Sequence, residues 1–200
     1  MDKLLLLDID GTLFNPEQFG RLIRHEFVRI LGVSEEEIVR ANADYYATLP
    51  TTTDFNPRDI AQHIANAFSV DQAELDKVFW ENEQIYKESL FPEVLDTLKK
   101  LSKTHTLGIF SQGNEELQTR KLNACDIAQF FDRNYLYIHK RKLEEEVLNQ
   151  IPEAAIIVDD NHDWVKEINA KRGAIWLNRR TEDKDPSLTT IHLLSDLLAL

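Results

Sequence analysis

The chain has 200 residues, 42% of them hydrophobic, and a formal net charge of −12 at pH 7. That length suits one domain, or one domain carrying an insertion, and the apolar fraction is enough for a packed core, which excludes a disordered chain. The acidic balance excludes nucleic acid or an anionic membrane as a bulk-charge partner, so action on phosphates requires local positive charge from a metal ion and a few lysines.

The apolar run Leu4–Leu7, ended by Asp8, is far shorter than a signal-peptide core, and no stretch reaches the roughly 20 apolar residues of a membrane span. The single cysteine, Cys125, permits no internal disulfide and reads as a small core residue. These features describe a soluble, cytoplasmic protein.

Lys3 to Asp8 reads as a buried strand, broken after Gly11 and at Asn15-Pro16. From Pro16 to about Leu90 the pattern is helical. Phe19, Leu22, Ile23, Phe27, Ile30 and Leu31 recur at helical spacing, Ser34 with Glu37 forms a capping box, and Asn56-Pro57 is a cap followed by proline. Asp71 opens a further helix with Leu75, Val78, Phe79, Ile85 and Tyr86 on its apolar side. After Pro92 short apolar runs alternate with amphipathic segments: Leu107–Phe110, Tyr135–Ile138, Ala154–Val158 and Ala174–Leu177. Such alternation predicts βαβ units and a parallel sheet. Ile191–Leu200 reads as a short closing helix. The expected organisation is an α/β core of residues 1–14 and 91–200, interrupted by a helical insert of residues 15–90.

Four of these strands end in polar or charged groups, and in an open parallel sheet such ends converge. Asp8 and Asp10 flank the tip of the first strand, and Gly11 permits a sharp exit and close backbone approach to an anion. Two carboxylates so close repel each other, which a divalent cation relieves; one can attack phosphorus while the other moves a proton. Ser111, followed by Gln112-Gly113-Asn114, can donate to a phosphate oxygen, as can the amides of the turn. Lys140 lies two residues past the Tyr135–Ile138 strand, placed to neutralise a phosphoryl group, with Lys142 as its competitor. Asp159-Asp160 closes another strand and suits magnesium, with Asp163 as a supporting acid or a helix-end acid. The six histidines show no zinc spacing, and His139 and His162 read as bystanders. Phosphate-loop and dinucleotide fingerprints are absent.

Taken together, Asp8-Ile9-Asp10-Gly11-Thr12-Leu13, Ser111 in Leu107–Gly113, the Lys121-Leu122 and Phe130-Phe131-Asp132 runs, Lys140 and Asp159-Asp160 resemble, in order, the motifs of the haloacid dehalogenase-like hydrolases. The resemblance implies a Rossmann-like core with an all-helical cap inserted after the first motif, a segment that residues 15–90 fit. It implies Asp8 as nucleophile and metal ligand, and Asp10 as general acid and base whose backbone carbonyl also binds the metal. It further implies Lys140 as the charge-neutralising lysine, with Ser111, Gln112, Gly11 and Thr12 at the phosphate. The metal would be Mg²⁺, held with Asp160 or Asp159, the analogy favouring Asp160. Dehalogenases of the family usually lack the second Asp, since halide needs no protonation, so Asp10 points to phosphoryl chemistry. Two features depart from the pattern: no proline follows the lysine, and the acidic motif is offset by one residue. The expected function is a magnesium-dependent phosphatase of a small phosphorylated metabolite. Its rivals are a phosphomutase of the same family, a receiver-like phospho-aspartate domain and a degenerate binding module.

Overall fold

The computed structural model describes residues 3–200. Six parallel strands form one sheet in the order β3-β2-β1-β4-β5-β6. They are β1 (Lys3–Leu7), β2 (His105–Gln112), β3 (Leu136–His139), β4 (Ile156–Asp159), β5 (Ala174–Leu177) and β6 (Thr189–Ile191). Side-chain alternation sends successive residues of each strand to opposite faces. Leu5, Leu7, Leu107, Ile109 and Val158 join one apolar cluster. Leu6, Phe110 and Ile157 join a second, with Val147, Leu148, Val165 and Ile168 of the helices α8 (Glu145–Leu148) and α9 (His162–Asn169). The first cluster also takes in α6 (Val94–Leu101), α7 (Glu115–Ala124) and the segment between β1 and α6. The sheet is therefore covered on both faces, as a parallel sheet requires. Among the described residues no helix is long and apolar enough to cross a membrane.

Between Pro16 and Ser89 the chain forms five helices and one 3-10 turn, Thr52–Asp54. The helices are α1 (Pro16–Leu31), α2 (Glu35–Ala47), α3 (Pro57–Phe68), α4 (Gln72–Trp80) and α5 (Glu83–Ser89). Local chemistry sets their ends. Asn15, Asn56 and Asp71 accept from backbone amides at three N-termini. Ser34 and Glu37 satisfy each other's orphan amides in the capping box at a fourth. The segment leaves and rejoins the core through one narrow stem. The Asn15 amide donates to the Ser89 carbonyl at 2.7 Å and the Phe91 amide to the Leu13 carbonyl at 3.1 Å. Phe14 and Leu90 pair antiparallel between them.

Two expectations are corrected. The segment opened by Asp71 is two helices rather than one: the turn at Glu81-Asn82 separates α4 from α5, and Tyr86 of α5 packs against Phe19, which also meets Phe79 of α4. Ile191 belongs to a sixth strand, not to the closing helix. Thr189–Ile191 is too short and polar for an apolar-run criterion, and only Leu194–Ala199 turns, as a 3-10 helix.

Tyr86 ties these parts together. It is fully buried, its hydroxyl donates to the Phe79 carbonyl at 2.5 Å, and its carbonyl accepts from the Cys125 thiol at 3.2 Å. Tyr86→Phe leaves the Phe79 carbonyl without that donor and is expected to lower stability by about 1–2 kcal/mol. Urea denaturation checks this; an unchanged midpoint would mean that the Phe79 carbonyl finds another donor.

Candidate active site

Strand β1 lies in the middle of the sheet, and the chain runs to β2 and β3 on one side and to β4, β5 and β6 on the other. At such a reversal the connections diverge and leave a crevice at the carboxyl ends of the strands. Asp8 follows β1, Ser111 lies near the end of β2, and Asp159 ends β4. Residues more than a hundred positions apart are thereby brought together.

At the centre is a buried ammonium. Lys142 is fully buried, and its Nζ donates to Asp8 Oδ1 at 2.7 Å, to Asp159 Oδ2 at 2.5 Å and to the Phe110 carbonyl at 3.3 Å. Burial alone would push the Lys142 ammonium down, but the charges of Asp159 and Asp8 outweigh it and hold it above the usual lysine range. Asp159 is fully occupied, because its Oδ1 also accepts from the Asn161 amide at 2.8 Å. Asp8 is pushed up to about 8, by burial first and by the nearby Asp159 charge, with Lys142 opposing.

Asp160 differs from Asp159. Its carboxylate makes no hydrogen bond or ion pair among the described residues, and burial with the Asp159 charge raises it to about 6. Gly11, at φ +82°, is what makes room for it: a Cβ there would lie 2.2 Å from Asp160 Oδ2. Carboxylate oxygens of Asp8, Asp159 and Asp160 all lie within 4.8 Å of one another, close enough to share one hard cation, whose charge would oppose the elevation of Asp8 and Asp160.

Asp10 is held from another direction. Both its oxygens accept from Lys121 Nζ, at 2.6 and 2.7 Å, and Oδ2 also accepts from Gln118 Nε2 at 2.8 Å. Gln118 further donates to Ser111 Oγ at 3.3 Å and to the Gln112 carbonyl at 2.9 Å. Neither Gln118 nor Lys121 is given a role by sequence reasoning. The available signal was their spacing: a polar pair three residues apart on the face of α7 that also carries Leu117 and Leu122, all buried.

The lysine assignment is corrected. Lys140 is exposed, with its Nζ 3.7 Å from Asp54, and does not approach Asp8. Strand β3 runs to His139, one residue beyond expectation, and the loop after it turns back. The Lys142 amide donates to Gln112 Oε1 at 3.1 Å, which aims the side chain inward.

The expected phosphate contacts are redistributed as well. The amides of Gly11 and Thr12 are spent on the Phe14 and Ile9 carbonyls, so neither is free to hold an anion. The Thr12 side chain is fully buried, and Gln112 serves the lysine loop. Ser111 is fully buried within β2, one residue before its end, rather than beyond it. His162 bonds Asp185 at 2.8 Å and Asp163 is largely exposed at the start of α9.

A sequence model of the haloacid dehalogenase-like hydrolase family matches residues 3–170. None of the curated proteins matches the chain. Among solved structures, a haloacid dehalogenase-like hydrolase of Burkholderia xenovorans is similar at TM-score 0.73 and 16% identity, covering 100% of this chain and 96% of that one. A HAD phosphatase of Thermococcus onnurineus is similar at TM-score 0.62 and 21% identity, with coverage of 100% and 97%. A 2-haloacid dehalogenase of Pseudomonas syringae is similar at TM-score 0.62 and 22% identity, again covering 100% and 97%. At these identities the structures share the fold with this chain, and they differ among themselves in the reaction named.

The two lysines can be told apart without an assay. Lys142→Met leaves two buried carboxylates without their cation and is expected to destabilise by about 3–5 kcal/mol. Lys140→Met, at the surface, should change stability by less than about 0.5 kcal/mol. Chemical denaturation of both variants measures this; equal effects would remove Lys142 from the centre of the site.

Proposed function

This chain belongs to the haloacid dehalogenase-like hydrolases, and within that family we propose that it is a magnesium-dependent phosphatase working through an aspartyl-phosphate on Asp8. The observation that carries this reading is Asp160, a partly buried carboxylate without a protein partner, facing Asp8 in a cluster that suits a divalent cation. Asp10 supports phosphoryl over halide chemistry, because an alkoxide leaving group needs a proton and a halide does not.

Asp8 and Asp160 would hold Mg²⁺, with the Asp10 backbone carbonyl as the family resemblance implies. Asp159, with both oxygens engaged, would serve instead to fix Lys142. When bound, the ion supplies charge neutralisation and orientation of the phosphoryl oxygens. An Asp8 oxygen attacks phosphorus as the ester oxygen leaves with a proton from Asp10. Lys142, on the other Asp8 oxygen, offsets the charge that gathers on the phosphoryl group. Asp10, now the carboxylate, takes a proton from water as its oxygen attacks phosphorus, and the bond to Asp8 breaks, releasing inorganic phosphate. Of the four expected phosphate contacts, Ser111 is retained as the side-chain donor, because its Oγ accepts from the same Gln118 amide that donates to Asp10. The helical segment from Pro16 to Ser89 would act as the cap, excluding water and selecting the substrate. A small phosphorylated metabolite remains the proposed partner and the cytoplasm the proposed location.

With 4-nitrophenyl phosphate, hydrolysis should vanish in chelator and return with Mg²⁺; full activity in chelator would remove the metal. Asp8→Asn should abolish turnover. Asp10→Asn should release about one equivalent of nitrophenol in a burst and then turn over slowly, because a stable aryloxide leaves unaided while the phosphoenzyme still needs a base. Mass spectrometry of acid-quenched protein should find the phosphoryl group on Asp8. Steady turnover by Asp8→Asn, free of wild-type protein and of deamidation, would falsify the covalent route.

A further inference from the structure

A cavity of about 570 Å³ rises from Asp8, Asp10 and Asp160 into the helices of the insert. That volume lies within the ~300–1,000 Å³ typical of sites for sizeable organic ligands. It far exceeds what a phosphoryl group on a two- or three-carbon chain would fill. Its walls include Phe19, Ile23, Phe55, Ile60, Phe79 and Trp164. Several of the polar side chains on the wall are engaged through one of their atoms. Asn114 and Asn161 accept from the amides that start α7 and α9, Gln112 accepts from the Lys142 amide, and Thr53 pairs with Thr51. Lys121 is committed to Asp10. A polyhydroxylated body would set many of its hydroxyls against the aromatic and aliphatic side chains here, where they lose water without a partner.

Three buried wall atoms lack a hydrogen-bond partner among the described residues: Gln118 Oε1 beside the acids, and, higher in the cavity, one atom each on α1 and α2. Asn42 Oδ1 is shielded from solvent without a hydrogen-bond partner, and so is Arg24 Nε, whose nearest carboxylate, Glu35, lies at 3.8 Å. The first offers an acceptor and the second a donor. Arg24 also extends over Gly20, where a Cβ would sit 3.4 Å from its Nη1.

Resting on the phosphatase reading, we infer that the substrate is a phosphate monoester of a bulky, largely apolar and aromatic alcohol, bearing one group that both donates and accepts a hydrogen bond to Asn42 and Arg24. The aromatic body fills the wall left by Phe19, Phe55, Phe79 and Trp164, and the amide-like group satisfies the two unpaired atoms. Sugar and glycerol phosphates are poor substrates on this reading, although their ester oxygens are equally reactive primary alkoxides.

The test compares 2-(2-naphthyl)ethyl phosphate, its 6-carbamoyl derivative, glycerol 3-phosphate and glucose 6-phosphate, all with Mg²⁺. Release of phosphate is followed with the wild-type protein, and binding by calorimetry with Asp8→Asn, which cannot turn over. Naphthylethyl phosphate should exceed both polar esters in kcat/KM by about 100-fold, from burial of its rings. The carbamoyl group should add about tenfold, and in Asn42→Leu and Arg24→Met the ratio between the carbamoyl and plain compounds should fall to about one. Sugar or glycerol phosphate turning over as well as the naphthyl esters would overturn the inference. A carbamoyl effect that survives both substitutions would overturn the role of Asn42 and Arg24. If no ester is hydrolysed yet calorimetry keeps the same order of binding, the phosphatase reading fails and the assignment of the cavity stands; loss of that order in binding sinks the assignment itself.

Discussion

The buried Lys142 ammonium between Asp8 and Asp159 is the constraint to which the rest of the site conforms. Taking three charges out of water costs several kcal/mol per ion unless geometry and further hydrogen bonds compensate. Here the compensation is spread over three strands: Asp8 after β1, the Phe110 carbonyl in β2 and Asp159 at the end of β4. Displacing Asp8 or Asp159 by a residue would leave a buried carboxylate without its cation, and displacing the Phe110 carbonyl would remove the ammonium's third acceptor. The register of β1 against β2 and β4 is thus tied to the same ammonium that faces the proposed nucleophile.

The stem at Leu13–Asn15 and Ser89–Phe91 has a related consequence. It begins three residues after Asp10, so the insert hangs directly beside the acids instead of from a remote corner of the core. Arg179 braces this junction from the far side of the sheet order, donating to the Thr12 carbonyl at 2.8 Å and pairing with Glu93 at 2.7 Å. A motion of the helices about so short a stem would change the volume above Asp8, which a substrate-selecting cap needs, and would work against the contacts of the insert with α7 and the turn after it, Arg58 to Glu116 and Cys125 to Tyr86 among them.

Much of this was legible in the sequence because the signals were local. Continuous apolar runs locate four of the five strands after Leu101 to within two residues at their starts and ends, and the caps at Ser34, Asn56 and Asp71 are side-chain to backbone bonds within three residues. Asp8, Asp10 and Asp159-Asp160 were placed by the rule that such strands end at the site. What failed was set by tertiary contacts. Choosing between Lys140 and Lys142 depends on how a loop returns across the strand ends, and that path is fixed by Gln112, about thirty residues earlier. The Lys121-Leu122 run enters the family resemblance without a role, and Gln118 carries no local signal, because polar residues on a helix are ordinarily solvated and only the packing of α7 beside Asp10 buries this pair. The sixth strand carries two threonines and one isoleucine and has no apolar run of its own; its place comes from pairing with β5.

Charge arithmetic then decides what the site can accept. Four carboxylates, Asp8, Asp10, Asp159 and Asp160, stand against two ammonium groups, Lys121 and Lys142. With all six ionised, before Asp10 takes up the proton it would give to the leaving oxygen, the site carries two net negative charges, and a phosphate monoester dianion meets like charge in a region of low dielectric. One divalent cation brings the site to neutrality. On the proposed mechanism the demand is sharper for Asp8, whose attack would require it to be ionised although burial and Asp159 resist ionisation. In the same mechanism a cation at Asp160 would lower both barriers at once, for the anion that enters and for the carboxylate proposed to attack it. The unpartnered Asp160 is therefore not a defect in an otherwise paired cluster. It is the position through which the remaining negative charge of the site can be met by metal, while Asp159 keeps Lys142 in place.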